Sequence, residues 1–208
     1  MTTVSENNSP HLTLVEQAST PSTPAAGTQK LFIDDADHLL KLVDESDVVT
    51  EVGGGGGGGG VVVQRVITET GASSTGTTLI PLDDTIPQNT EGNEYMTRTI
   101  TPTDAANILY IEVIVFAVHS VAAWISAALF KDSDANALAA MTGFSTTAGG
   151  GTPIVFRHKM TAGGTSEITF KVRAGGHTAG TTTFNGNAGT RVFGGVMASS
   201  ITVTEFTP

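Results

Sequence analysis

The sequence predicts an all-β protein with a C-terminal antiparallel β-sandwich. Three observations favour this class. The 208 residues include 33 Thr and 25 Gly, and Thr, like other β-branched residues, suits the pleated surface of a strand. Apolar and polar residues alternate at 168–173 and 201–204, which places one side of each segment in a core. Short apolar segments recur between Gly- and Asn-containing turns, at the spacing of hairpins.

The N-terminal quarter predicts an arm followed by a small β meander. Residues 1–29 are rich in Ser, Thr and Pro and contain no aromatic side chain. Such a segment buries too little apolar area to fold alone, so we expect an extended or disordered arm. Residues 30–52 predict three short strands separated by acidic turns, at 30–33, 38–43 and 48–52, although 34–43 also permits a helix. A meander this small needs support from other parts of a protein.

Eight consecutive glycines, Gly53 to Gly60, form a predicted linker between the meander and the C-terminal domain, 61–208. A phosphate-binding loop is excluded because three Val follow the last Gly, where Lys and Ser or Thr are needed. As a flexible linker, the eight residues span about 15–17 Å. The alternative is a tight bundle of parallel chains, in which only Gly fits at the axis.

The formal charge of -10 is concentrated in the N-terminal part of the chain. Residues 1–60 contain nine acidic and two basic side chains, whereas 101–208 contain six of each. A neutral surface poor in charge is expected where subunits meet. The shortage of Lys and Arg argues against a nucleic-acid partner. The acidic arm is either solvated or docked on a larger assembly.

From residue 61 onward the pattern predicts successive strands of a sandwich, most simply a jelly roll. Residues 135–142 also permit one or two helical turns. The predicted strands are 61–67, 79–82 (an edge strand, because of Pro81), 95–100, 108–118, 122–131, 137–144, 154–160, 166–173, 181–184, 190–196 and 199–206.

The apolar run 108–130 is long enough to cross a membrane, but we predict two buried strands instead. It contains Glu112 and His119, and a carboxylate at the centre of a bilayer costs about 2.5–3.5 kcal/mol. Its many β-branched residues and its break at His119-Ser120 favour strands. No membrane insertion is therefore expected, and residues 1–30 lack the basic start and apolar core of a secretory signal.

The search for catalytic chemistry finds no catalytic, cofactor-binding or metal-binding residues. Cysteine is absent, which excludes disulfides, thiolate metal sites and a thiol nucleophile. The segment from Asp132 to Asn136 resembles the start of a calcium loop, but Ala137 and Gly143 stand where Gly and Glu are needed. The five His show no ligand spacing. We therefore expect no cofactor and no enzymatic activity.

Three other side chains have alternative interpretations. Glu112 lies in an apolar strand, and we expect it to point outward, although burial would raise its pKa. Trp124 has apolar neighbours on both sides and is expected in the core; the alternative is that it stacks on a sugar. His158 is expected to face a subunit boundary or solvent.

Six segments resemble virion proteins of tailed bacteriophages. They are 84–96 (DTIPQNTEGNEYM), 100–102 (ITP), 128–132 (ALFKD), 137–140 (ALAA), 169–175 (TFKVRAG) and 194–205 (GGVMASSITVTE). The resemblance covers roughly 83–206, and a weaker one covers 24–52. It implies a non-enzymatic fibre, spike or capsid-decorating protein on the virion surface, a homotrimer assembled in the bacterial cytoplasm.

The resemblance also implies how such a protein is organised. Residues 1–52 would anchor it to a capsid or tail protein, and a host-surface glycan is the candidate external partner. Polar turns at 132–136, 145–152, 175–180 and 185–190 are the candidate contact loops. Their candidate contact residues are Asp132, Asp134, Asn136, His177, Asn185 and Asn187. Two alternatives stay open: a decoration protein without a receptor role, and a polysaccharide-degrading spike that uses Glu112 or Glu167.

Overall fold

The computed structural model describes residues 16–36, 39–52 and 60–208. The chain divides into two compact units, residues 1–59 and 60–208. The all-β prediction is confirmed, since the described residues form strands and a single short 3-10 turn at Phe193–Gly195. The predicted arm up to residue 15 and the glycines 53–59 lie outside the described residues.

The first unit contains four strands, and the second contains twelve. In chain order the strands are β1 Glu16–Gln17, β2 Lys30–Asp34, β3 Leu40–Val43, β4 Val49–Glu51, β5 Val62–Thr70, β6 Ser74–Gly76, β7 Asn93–Ile100, β8 Ile108–His119, β9 Ala123–Lys131, β10 Ala139–Ser145, β11 Gly151–Thr161, β12 Ile168–Gly176, β13 Thr182–Phe184, β14 Gly186–Asn187, β15 Thr190–Arg191 and β16 Ser199–Phe206.

The first unit is a four-stranded sheet in the order β1-β2-β3-β4. β2, β3 and β4 form the antiparallel meander expected for 30–52, and the described residues of 34–43 form strands and a turn instead of the alternative helix. Its small core holds Phe32 and Val43. β1 adds a parallel strand beside β2 that the sequence did not predict.

Residues 22–28 are tied to this meander by polar contacts. The Lys30 ammonium donates to the Ser22 carbonyl at 2.6 Å, and the Thr23 hydroxyl donates to the Asp47 carboxylate at 2.6 Å. The Gly27 amide donates to the Glu45 carboxylate. The acidic turns of the meander therefore hold the chain that precedes it.

The second unit consists of two sheets packed face to face. One sheet has the order β10-β9-β12-β7. In the other sheet, β8 is central: β11 pairs along one of its edges, and β16 and β13 pair along the other edge. β16 in turn pairs with β5, and β13 pairs with β6. Alternate residues from both sheets fill one shared core, which includes Leu109, Ile125, Phe170 and Ile201. Ile168, Phe170 and Val172 point inward, as the alternation predicted.

The apolar run 108–130 forms two strands, β8 and β9, as predicted. β8 alternates as far as Ala117, because its core side is buried while Glu112 and Ile114 on its other side are exposed. β9 is apolar on both sides. No helix among the described residues is long and apolar enough to cross a membrane.

The segment 77–92, here called the covering segment, explains why β9 is apolar on both sides. Ile80 packs on Ala128 and Phe130, which point away from the shared core. The Arg173 guanidinium donates to the carbonyls of Glu91 and Gly92, both at 2.8 Å. The covering segment therefore shields the outer face of the β10-β9-β12-β7 sheet, which we call the covered sheet.

Three local predictions are wrong. Residues 79–82 form no strand, because Ile80 is anchored in the covering segment. Residues 190–196 form only the two-residue β15 and the 3-10 turn, since Phe193, Gly194 and Gly195 all have positive φ, which a strand does not allow. The helical alternative for 135–142 is replaced by β10, which pairs along β9.

Candidate functional site

Three of the four predicted contact loops meet at one end of the sandwich. The Gly149 amide donates to the His119 carbonyl at 2.9 Å, and the Ser120 amide donates to the Thr181 carbonyl at 3.0 Å. The Gly189 amide donates to the Thr183 hydroxyl at 3.1 Å. The loops at 145–152 and 175–180 are thus joined to the end of β8 and the β8–β9 turn, and the loop 185–190 is joined to β13. The loop 132–136 lies at the opposite end of β9.

These loops surround an open depression of about 510 Å³ whose lining carries no charged side chain. Hydroxyl and amide groups supply the polar part of the lining, and small residues supply the rest. The lining residues are Thr75, Val118, Ser120, Ala148, Gly149, Thr181, Thr183, Asn187, Ala188 and Gly189. The lining of the depression is therefore polar but uncharged.

His119 lies beneath this loop cluster and is fully buried. Its Nε2 lies 3.2 Å from the Thr178 carbonyl and its Nδ1 lies 3.1 Å from the Thr182 hydroxyl. Because a carbonyl only accepts hydrogen bonds, Nε2 carries the proton. Burial lowers the pKa of His119, which keeps the ring neutral. A Cβ at Gly176 would lie 2.5 Å from this ring, so the imidazole packs directly on the loop backbone.

The predicted contact residues of this end have different environments. Asn187 is exposed and lines the depression. His177 is half-buried, and its Nδ1 accepts a hydrogen bond from the Trp124 amide at 3.0 Å. Asn185 is completely buried, which corrects its expected place in an exposed loop. Its amide donates to the Thr70 carbonyl at 2.6 Å and accepts from the Ser199 hydroxyl at 2.6 Å, so it joins strands.

At the opposite end, Asp132, Asp134 and Asn136 shape a hairpin. The Asp132 carboxylate accepts from the Thr169 amide at 2.8 Å. The Asp134 carbonyl accepts from Asn89, and the Asn136 side chain accepts from Gln88. Within residues 16–36, 39–52 and 60–208, no three His, Asp or Glu side chains are grouped closely enough to hold a metal ion.

Trp124 is not in the core, contrary to the expectation from its apolar neighbours. It is 38% exposed and lies opposite Phe144, which is 50% exposed, on the outer face of the covered sheet. Their ring centroids are 4.8 Å apart and the planes are tilted by 39°. The covering segment shields Ala128 and Phe130 but leaves this ring pair accessible. That long-range contact buries Ala128 and Phe130 on the outer side of β9.

The outer face of the other sheet is exposed and mixes apolar with charged side chains. Ile114 and Val155 face each other across β8 and β11 and are 45% and 56% exposed. In the next rows Glu112 lies opposite Arg157, whose guanidinium donates to the Tyr110 hydroxyl at 2.9 Å. We call this surface the open face.

The two carboxylates considered for catalysis, Glu112 and Glu167, do not lie together. Glu112 points outward on the open face, as expected, and Glu167 is exposed in the β11–β12 loop. Strand β8 places Glu112 opposite Arg157 near its middle, whereas Glu167 lies beyond the end of β11. His158 lies on the core side of β11 rather than facing outward, and burial lowers its pKa.

Glu205 is a buried carboxylate that sequence reasoning missed. It is fully buried on β16 and accepts hydrogen bonds from the side chains of Gln64 at 2.5 Å and Asn107 at 2.6 Å. The Thr103 amide and hydroxyl donate to it at 2.8 and 2.9 Å. Burial alone would raise the pKa of Glu205, but these bonds outweigh it and lower the pKa to about 2. The carboxylate ties β5, β16 and the β7–β8 loop together.

Solved structures of viral proteins share a loose likeness with the chain. An infectious bursal disease virus VP2 subviral particle matches with 10% identity and a TM-score of 0.30, over 77% of this chain and 40% of that chain. The infectious bursal disease virus Gx strain matches with 12% identity and a TM-score of 0.32, over 76% of this chain and 40% of that chain.

An enzymatically active domain of tailspike protein 4 from bacteriophage CBA120 matches with 13% identity and a TM-score of 0.25, over 59% of this chain and 18% of that chain. The chain thus spans about two fifths of the length of the first viral proteins it matches. At these scores the superpositions add nothing to the fold described above.

The sequence comparisons are more specific. No curated protein sequence matches the chain. A family model does match, over residues 79–208, and it describes the Pgp3 C-terminal domain. The matched region begins in the covering segment and includes both sheets except β5 and β6. Over these residues the chain belongs to the family of the Pgp3 C-terminal domain.

Proposed function

We propose that this protein is a non-enzymatic structural protein of a virus particle, a homotrimeric fibre or spike. In this proposal residues 1–52 attach to a capsid or tail protein, and the glycine run sets the reach of the second unit. Residues 60–208 associate through the open face and present the loop end outward to the host surface. The observation that carries the proposal is the exposed apolar content of the open face.

The open face differs from the usual water-facing side of an antiparallel sheet. Such a side is ordinarily polar, yet here Ile114, Val155 and Ile67 are about half exposed. Arg157 and Lys159 on β11 and Glu112 on β8 add both signs of charge to the same surface. Apolar side chains mixed with both charges suit contact with another copy of the same surface.

The order of the main strands supports a jelly roll. Eight strands, β5, β7 to β12 and β16, divide equally between the two sheets. Consecutive strands β7 and β8, and later β10 and β11, cross from one sheet to the other. Two sheets of four strands joined in this way are typical of jelly rolls in viral coat proteins. The trimeric state rests on the resemblance to phage virion proteins.

The N-terminal unit is suited to attachment rather than to independent function. Its described core consists of little more than Phe32 and Val43, and Leu31, Val48 and Val49 are 37–54% exposed. A small acidic sheet of this kind gains stability when it docks on a larger surface. Several copies on one trimer would add avidity to such an anchor.

The proposed assembly is tested by light scattering of the full chain after size exclusion. We expect a mass three times the 21.3 kDa of one chain. Val155→Glu, on the open face, is expected to reduce the mass to that of one chain. The matched control Ile86→Glu alters a side chain of similar exposure, 54% against 56%, in the covering segment, and should leave the mass unchanged. A wild-type protein that elutes as a single chain would overturn the proposal.

A further inference from the structure

The geometry points to a binding site for neutral pyranose sugars on the outer face of the covered sheet, built on the ring pair Trp124 and Phe144. The inference rests on the attachment role proposed above, because it assigns the chemical class of the host-surface ligand. The site lies on a different sheet from the open face.

The two rings form an ordered apolar platform. Trp124 and Phe144 are cross-strand partners on β9 and β10, with ring centroids 4.8 Å apart. The Trp124 backbone is held on its other side, since its amide donates to His177 Nδ1 at 3.0 Å and its carbonyl accepts from the His177 amide at 3.1 Å. Side chains on paired strands lose little further freedom when a ligand binds.

Polar groups border the rings without adding charge. Because His177 Nδ1 accepts a hydrogen bond from the Trp124 amide, the Nε2 atom of His177 carries a proton and can donate. Ser126 and Thr142 form the next row of the same face; the buried Ser126 hydroxyl donates to that of Thr142, which donates to the Ile125 carbonyl. The site therefore offers an apolar surface with the His177 imidazole as a donor at its edge.

The chemistry of a pyranose fits this arrangement. One face of such a sugar presents C–H groups, which pack favourably on the electron-rich face of an aromatic ring. The hydroxyl groups around its rim need hydrogen-bond donors and acceptors, which pockets for small ligands supply in small numbers. Indole is the largest such surface that a side chain offers, and the Phe144 ring packs against it with ring centroids 4.8 Å apart.

The adjoining depression extends the same chemistry. Ser120 of the depression lies four residues before Trp124 of β9, and Ala148 lies four residues after Phe144 of β10. Its lining has hydroxyl and amide groups and no Lys or Arg. Sulfate, phosphate and carboxylate groups are bound best by such cations, so the ligand class is a neutral oligosaccharide rather than an acidic one.

The fluorescence of Trp124 tests the site directly, because this is the only Trp in the chain. The full chain is titrated with neutral hexose oligosaccharides (gluco-, galacto- and manno-), with sialyllactose and with heparin fragments. We expect a saturable change in emission with at least one neutral probe. No response to any neutral probe, or a stronger response to the acidic ones, would overturn the inference.

Variants test whether the change in fluorescence comes from a sugar bound at the ring pair. Phe144→Ala should weaken the affinity about tenfold, as expected for the loss of one stacking surface. Phe144→Leu, which keeps an apolar side chain in the strand, should weaken it in the same direction. The matched control Phe193→Ala removes a ring that is 76% exposed in a different loop and should leave the affinity unchanged. Equal losses in Phe144→Leu and Phe193→Ala would contradict the assignment.

Light scattering of the same samples separates this inference from the proposed assembly. If the wild-type mass is that of one chain while the neutral sugar still binds, the assembly is wrong and the sugar site is supported. If the trimer is intact and no neutral sugar binds, only the sugar site is overturned.

Discussion

The two sheets of the second unit differ in how the apolar residues on their outer sides are covered. Each has a core side filled by the other sheet, and each carries apolar residues on its outer side. On the covered sheet, Phe130 and Ala128 are buried under Ile80 of the covering segment. On the open face, Ile114 and Val155 have no such cover from the described residues of the second unit and are about half exposed.

The covered sheet is thus shielded within one chain, whereas the apolar residues of the open face are available for contact with another molecule. The covering segment belongs to the part of the chain that matches the family model, and its contacts are intramolecular. Large apolar patches that remain on a single chain mark surfaces for interaction. We therefore expect substitutions on the covered sheet to change stability, and substitutions on the open face to change association.

The largest effect on stability is expected at Glu205, which lies on the core side of the sheet that carries the open face. Glu205→Ala leaves the buried donors of Gln64, Thr103 and Asn107 without their acceptor. We expect a loss of about 3–5 kcal/mol in the free energy of unfolding, measured by urea denaturation. Glu167→Ala, which removes the same charge from an exposed loop, should change it by no more than about 0.5 kcal/mol.

The same carboxylate predicts a loss of stability in acid. The pKa of Glu205 is about 2 in the folded protein, below its value in the unfolded chain. The unfolded state therefore binds the proton first, and stability falls as pH decreases from about 4.5 towards 2. Urea midpoints across this range should show a steeper fall for the wild type than for Glu205→Gln. Parallel curves would refute this explanation.

The covering segment is expected to contribute less, because Ile80 packs on one small cluster. Ile80→Ala should destabilise the protein by about 2–3 kcal/mol, through the lost burial and the cavity that remains. Thermal unfolding measures this effect. Leu82→Ala in the same segment is the control, since Leu82 is 50% exposed. An equal loss in both variants would mean that the segment does not cover the sheet as described.

The smallest effect is expected at Arg173, which fixes the end of the covering segment. Arg173→Lys removes the planar guanidinium that donates to two carbonyls, those of Glu91 and Gly92. We expect a loss of about 1–2 kcal/mol in the free energy of unfolding. Lys171→Arg, two residues away on the same strand β12, should be neutral in the same urea titration.

Local patterns predicted most of the strands, because alternation and turn residues act within a few positions. β16 has the predicted bounds, 199–206, and β8 and β9 differ from the prediction by one residue at one end. Long-range contacts account for the errors. The cover that Ile80 provides determines that Phe130 is buried and Trp124 is not, although both lie in one apolar run.

The candidate site was predicted only in outline. Turn composition identified the loops at 145–152, 175–180 and 185–190, but their meeting depends on the pairing of β8 with β11 and β13. Asn185 has the same turn-like neighbours as Asn187, yet its side chain bonds to Thr70 and Ser199 inside the protein. The sequence shows no local difference between the buried and the exposed Asn.

The absence of cysteine from the chain allows the most direct test of the open face. Val155→Cys and Ile86→Cys place single thiols at positions with similar exposure in one chain, 56% and 54%. Both are labelled with a maleimide in the native full-length protein and again in urea. If the open face joins subunits, the thiol at position 155 is protected in the native protein while that at position 86 reacts rapidly. Equal native labelling rates at the two positions would contradict the account.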